Sequence, residues 1–299
     1  MSAESTAVIS AEGSRSGVLG SYIRGPWAIA AYTWKEGIRK KTLLGFLLLS
    51  LLVIFGSTFM TAFMASTTIS STTANVEIEV EAKIIKDICV SAIAIFCILI
   101  TIFISASVVP NELENKVVYT ILSKPLRRYQ YLAGKFLGVQ LIVIANLVLM
   151  STLFFVALYA KEGIWPSLLL WSALLTYFQF LIVSAFTFAV SCTSTSSVLP
   201  TIAGLFIYII GNLTEYLQDV YEKGVESERL FDTMIANIAH GLYLVLPNLR
   251  NFDMKDQILY LPSNDPPVDI MIPNLIAYGL VFAAVGYLLA WVLFARKEL

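Results

Sequence analysis

ICVSAIAIFCILITIFISASVV, residues 88–109, runs at once into PNELENKVVYTILSKPLRRYQYLAGKFLG, residues 110–138. The first string carries no charged residue and is long enough to cross the hydrocarbon core of a bilayer, which takes about 20 apolar residues in a helix. The second opens on a proline, mixes acidic, basic and apolar residues, and leads directly into another apolar run. An apolar run of lipid length followed by a short charged connection predicts an all-α polytopic membrane protein.

Working outward, segments 43–65, 136–160, 167–191, 198–213 and 273–295 have the same character, so six transmembrane helices are expected. The fifth is the shortest, with Pro200 near its start and room to extend to Leu217. The charged residues, 20 basic and 21 acidic, all lie outside these six segments. The buried strands of a soluble sheet would not produce so clean a partition. With 58% hydrophobic and only 14% charged residues, against about a quarter charged in soluble domains, an ordinary water-soluble enzyme is excluded. A net charge of −1 provides no global field for nucleic acid, which is not expected as a partner.

Loop charges predict the orientation, because Lys and Arg accumulate on the cytoplasmic side. With the N-terminus inside, the inner segments hold 13 basic and six acidic residues, and the outer segments seven basic and fifteen acidic. Both termini are therefore expected inside, anchored by Arg39, Lys40 and Lys41 before the first span. Residues 1–25 read as a flexible cytoplasmic tail; its first part is Ser- and Ala-rich without an apolar signal core, so the first span is expected to be retained. Residues 26–42 read as an interfacial helix, with Pro26 at a first helical position and Trp27, Ala30, Ala31, Trp34 and Ile38 opposite Lys35, Glu36 and Arg39. Residues 43–299 form the transmembrane domain. Cys89, Cys97 and Cys192 contain no CxxC and read as small apolar fillers, not as a disulfide framework or zinc site. No metal and no bound cofactor is expected.

The connection at 110–138 is the most informative stretch. After Pro110, with Asn111 as a helix cap, Leu113, Val117, Val118, Ile121 and Leu122 form an apolar face, with Glu112, Glu114, Asn115 and Lys116 polar. Ser123, Lys124 and Pro125 end that helix, because a residue before proline is pushed out of the helical region. Arg127, Arg128 and Lys135 flank the next span. Such a helix can rest on the lipid surface or insert into a groove on a cytoplasmic partner.

The residues from Glu112 to Gly138 also resemble the first cytoplasmic loop of type-2 ABC transporter permeases. The branch they are most similar to is the one described as multi-copper-enzyme-maturation or gliding-motility permeases. The matching positions are Glu112, Glu114, Thr120, Leu122, Ser123, Pro125, Arg128, Gly134 and Lys135; Lys116 and Val117 depart from the Arg-Thr or Gly-Thr of relatives. The resemblance implies that 111–124 is a coupling helix docking on a separate ATPase subunit, with Glu112, Glu114, Val117, Ile121, Leu122, Pro125 and Arg128 in that role. It further implies an exporter of two permease chains, in a homodimer or related heterodimer, with two ATPase chains, in a prokaryotic cytoplasmic membrane. The sequence itself has no G-x-x-x-x-G-K-[ST] loop to cradle phosphates, so ATP is expected to be used by the partner.

Polar residues inside spans face a cavity or a neighbouring helix. Ser105, Gln140, Asn146, Gln179 and Asn212 are the candidate translocation path, with Thr101, Ser107, Ser184 and Thr187 also polar there. Interhelical hydrogen bonding is the plainer account of each. The connection at 214–272 is read as a large outer loop. It has an acidic start, a helix over 230–242 judged by Leu230, Phe231, Met234, Ile235, Ile238 and Leu242, and breaks at Pro247, Pro262, Pro266 and Pro267. His240 stands there without a Cys/His cluster, as a surface or interfacial residue. Three functional classes are compatible with a chain of this kind. The first is an ABC permease. The second is a mechanotransmitting or scaffolding membrane protein that acts on an extracytoplasmic partner without passing a substrate. The third, an intramembrane enzyme, lacks a catalytic constellation.

Overall fold

The computed structural model describes residues 26–67, 74–114, 128–162, 167–225, 230–253 and 271–296. In chain order the elements are α1 (26–38), α2 (Lys41–Thr67), α3 (Ala74–Ser107), α4 (Pro110–Glu114), α5 (Arg128–Glu162), α6 (Ser167–Thr193), α7 (Val198–Val225), α8 (Leu230–Val245), a 3-10 turn (Arg250–Phe252) and α9 (Met271–Ala295). No strand occurs among the described residues. Among the described residues, four helical stretches are long and apolar enough to cross a membrane: Asp87–Glu114, Arg128–Val156, Leu170–Thr193 and Ile272–Ala295. Leu44–Val53 and Val198–Thr214 are shorter apolar stretches. A lipid environment favours this all-helical solution, because a helix satisfies its own backbone hydrogen bonds.

Helices α3 and α6 are the hub. Helix α6 packs on α3, α5, α7 and α9, and α3 also packs on α2, α5 and α7. Ile98, Ile100, Ile102, Leu132, Met150, Phe180 and Phe188 are almost completely buried between them. Small residues set the closest approaches. A Cβ on Gly286 of α9 would lie 2.9 Å from the Cβ of Ala185 on α6, and one on Gly204 of α7 would lie 2.5 Å from Thr187 Oγ1. Where the helix–helix interface has apolar lipid as the competing environment, such close packing supplies the association energy.

The helices overrun the apolar segments. The second predicted span starts at 88 but α3 starts at Ala74, the third starts at 136 but α5 starts at Arg128, and α7 continues to Val225 instead of stopping near 213. The first part of the expected outer loop is therefore helix. Backbone hydrogen bonding propagates through Glu215, Asp219 and Glu222, whereas hydropathy marks only where the lipid ends.

Helix α8 packs on α7, burying Ala236 and Ala239 and leaving Ile238 and Leu242 exposed. His240 stacks on Tyr221, ring centroids 4.4 Å apart. The chain after α8 folds back: the Leu249 N–H donates to Gly211 O at 3.0 Å and the Asn248 N–H to the Tyr278 hydroxyl at 2.8 Å. The prolines at 262, 266 and 267 lie outside the described residues.

Candidate functional site: a buried ion pair beneath helix α4

Helix α4 begins at Pro110, one residue before the expected cap. Backbone bonds from Glu112 N–H and Leu113 N–H to Val109 O, 3.2 and 3.1 Å, join it to the end of α3. The polar side expected of this helix divides. Glu114 is exposed, but Glu112 is only 3% exposed and Lys135 is completely buried. The two form a direct ion pair. The Tyr131 hydroxyl donates to the other carboxylate oxygen at 2.5 Å. Tyr131 and Lys135 are four residues apart on α5 and so share one face, which lets a single helix grip both oxygens of Glu112. The Lys135 ammonium also lies over the Tyr32 ring of α1, 5.1 Å from its centroid, a cation–π arrangement. Charge, hydroxyl and ring together compensate the desolvation of a buried pair, which Coulomb attraction alone often fails to do.

A second cationic group borders this pair. Lys40, between α1 and α2, donates to Ser107 Oγ at 2.9 Å and lies 3.9 Å from Glu36 Oε1. Its pKa is lowered from the ordinary lysine value, first by burial and further by the charge of Lys135, against the opposing pull of Glu36 and Glu112. Burial, Glu36 and Glu112 together push the Tyr32 hydroxyl pKa up. On the other side, Tyr131 stacks on Phe294 of α9 with centroids 5.8 Å apart, and Arg128 donates to the carbonyl of Ala295 at 3.5 Å, where a cation suits a helix C-terminus.

Helix α1 reaches the site through glycine. A Cβ on Gly134 would lie 2.7 Å from both Pro26 O and Ile29 Cβ, and one on Gly138 would lie 2.6 Å from Thr33 Cβ. Gly37 in turn faces Ile142. This gives α1 a protein-facing side besides the interfacial one read from the sequence. Ile29, Ala30 and Thr33 are buried, while Trp27, Ala31 and Ile38 are exposed, because the contact is made by small residues at close range.

Of the residues proposed for ATPase coupling, Glu112 is therefore internal, Glu114 and Arg128 are exposed, and Val117, Ile121, Leu122 and Pro125 lie outside the described residues. Of the candidate path residues, Ser105, Gln140, Asn146 and Gln179 are buried and Asn212 is half-buried. Gln140 donates to Ser184 Oγ at 2.7 Å and accepts from the Tyr177 hydroxyl at 3.5 Å. Gln179 donates to Asn212 Oδ1 at 3.4 Å. These are interhelical contacts of α5 with α6 and of α6 with α7. Thr101 and Thr187 bond back to carbonyls of their own helices. Asn146 reaches Cys97 Sγ at 3.6 Å, while its Oδ1 and the Ser105 hydroxyl have no hydrogen-bond partner among the described residues. All three cysteines are buried and none forms a disulfide. A separate apolar groove of about 390 Å³ opens between α5 and α6, lined by Ile144, Val148, Thr152, Phe155, Leu174 and Tyr177 among others.

Tyr131, Tyr32 and the glycines were absent from the sequence-based site. The signals available for them were the four-residue spacing of Tyr131 and Lys135 and the G-x-x-x-G of residues 134–138.

Helices of this length and apolar composition define a multi-pass membrane protein. The sequence matches the family described as "ABC-2 family transporter protein" over residues 27–299, and the chain belongs to that family. No curated protein matches it. Members are membrane components of ABC transporters that work with an ABC ATPase subunit, and ATP hydrolysis resides in that separate subunit.

Proposed function

We propose that this chain is the membrane-spanning permease of an ATP-driven exporter. In this reading it crosses the cytoplasmic membrane of a prokaryote six times with both termini inside, and pairs with a second permease chain and two ATPase chains. The loop that starts at α4 receives the movement of the ATPase. The loop residues from Glu112 to Gly138 further support the multi-copper-enzyme-maturation or gliding-motility branch. The observation that carries this reading is the Glu112–Lys135–Tyr131 cluster. It fastens the base of the loop to α5, and through Tyr32 and Phe294 to α1 and α9. A push on the loop is then delivered to several helices at once instead of being lost in a flexible joint. Glu112 acts inside the joint, as a positioning residue, and Glu114 and Leu122 are the candidates for contact with the ATPase.

The complex reconstituted with its ATPase tests this. E114Q and L122A should leave the permease folded and inserted while lowering permease-stimulated ATP hydrolysis several-fold. Unchanged docking and stimulation in both variants would remove the loop from the coupling path. ATP-dependent loss of loaded cargo from liposomes separates export from force transmission to an outer partner.

A further inference from the structure

Helix α1 has three sides, and two of them are occupied in different ways. One, with Ile29, Ala30, Thr33 and Gly37, is buried on α5. The second carries Trp27 and Ile38, 56% and 43% exposed, with Ala31 between them on the helical repeat. The third carries Lys35, with Arg39 in the turn that directly follows the helix, both exposed. At the start of α2 the pattern recurs. Lys41 is exposed, and Leu44 and Leu48, 49% and 64% exposed, follow it at three- and four-residue spacing. Lys40, between the two cationic sets, turns inward to Ser107 and Glu36 and takes no part.

We propose that Lys35, Arg39 and Lys41 bind the phosphate headgroup of an anionic glycerophospholipid whose acyl chains lie against Trp27, Ile38, Leu44 and Leu48. The proposal rests on the membrane reading given above and adds a selectivity to it. Cations beside apolar stripes on two consecutive helices match an amphiphile that is anionic at one end and apolar at the other. A free phosphate would use only the cations. Arginine offers phosphate a planar fork of donors and lysine a mobile point charge, and basic residues next to a span attract anionic lipid. The same contact would hold the outer sides of α1 as the glycines hold its inner side, so that α1 is fixed between α5 and the headgroups.

The test uses the full-length chain purified in detergent, titrated with phosphatidylglycerol and phosphatidylcholine and followed by native mass spectrometry. Phosphatidylglycerol should be retained many-fold better. The exposed-site variant K35Q/R39Q/K41Q should lose this preference by roughly five-fold for each charge, while its thermal melting stays unchanged. Equal retention of the two lipids by the wild type, or an undiminished preference in the triple variant, would overturn the proposal. So would displacement of phosphatidylglycerol by inorganic phosphate at equal concentration, which would mark a free-anion site. A failure of the membrane reading itself would show differently, as a chain that stays soluble when detergent is withdrawn.

Discussion

The polar contacts under α4 and those among α5, α6 and α7 are both buried and both bridge helices, yet they differ in kind. Glu112, Lys135 and Tyr131 form a charged contact in which each partner compensates a desolvated neighbour. Gln140–Ser184 and Gln179–Asn212 are neutral pairs. The neutral pairs help the helices choose their neighbours at low energetic stake, because an amide that loses one partner in a helical bundle readily finds another. The charged contact has no such latitude, and it stands where the loop meets the bundle. Fixed geometry is therefore concentrated at the joint, and tolerance in the interior.

The sharpest way to break this comparison is K135M, which leaves Glu112 buried and unpaired. It should destabilise the bundle by about 3–5 kcal/mol, read as a fall in the denaturation midpoint. E112Q/K135M should recover a large part of that loss, and a double variant no better than K135M would mean that the pair is not energetically coupled. G138V comes next, at about 1–3 kcal/mol for a side chain forced into a filled site; a cysteine crosslink between positions 37 and 142, where α1 also meets α5, should form in the parent and be lost in G138V as α1 is displaced. Q140L should cost only about 0.6 kcal/mol, the average for such bonds in membrane helices, and a loss as large as that of K135M would erase the distinction drawn here. The smallest effect belongs to Lys40. Its folded-state pKa is below the ordinary value of 10.5, so the folded protein releases that proton before the unfolded chain does. Stability relative to K40M should rise with pH between the lowered value and 10.5, then level off.

The apolar framework was legible in the sequence because hydropathy reports directly on the solvent, and in this chain the solvent is lipid. Helix ends were less legible. Asp219 and Glu222 lie past the apolar run but within the helix, and composition does not separate the end of one from the end of the other. Within the loop, periodicity groups Glu112 with Glu114 on one polar side. Two residues of identical chemistry and near-identical position end in opposite environments, one 3% exposed and one on the surface. Only the placement of Lys135, 23 positions along the chain, decides between them, and single-helix periodicity cannot register a partner on another helix. The α1–α5 contact was not legible for a different reason: periodicity marks large apolar residues, whereas backbone proximity at Gly134 and Gly138 selects small ones.

Helices α3 and α5 contain 34 and 35 residues, or about 51 Å at 1.5 Å per residue, against a hydrocarbon layer of about 30 Å. Both run from the Glu112–Lys135 joint, and each is longer than such a layer is thick. Mechanically they are levers with the joint at the short end. A tilt of about 10° imposed there would carry the far ends through about 9 Å, so that a modest rotation beneath α4 becomes a displacement about as large as the spacing between packed helices.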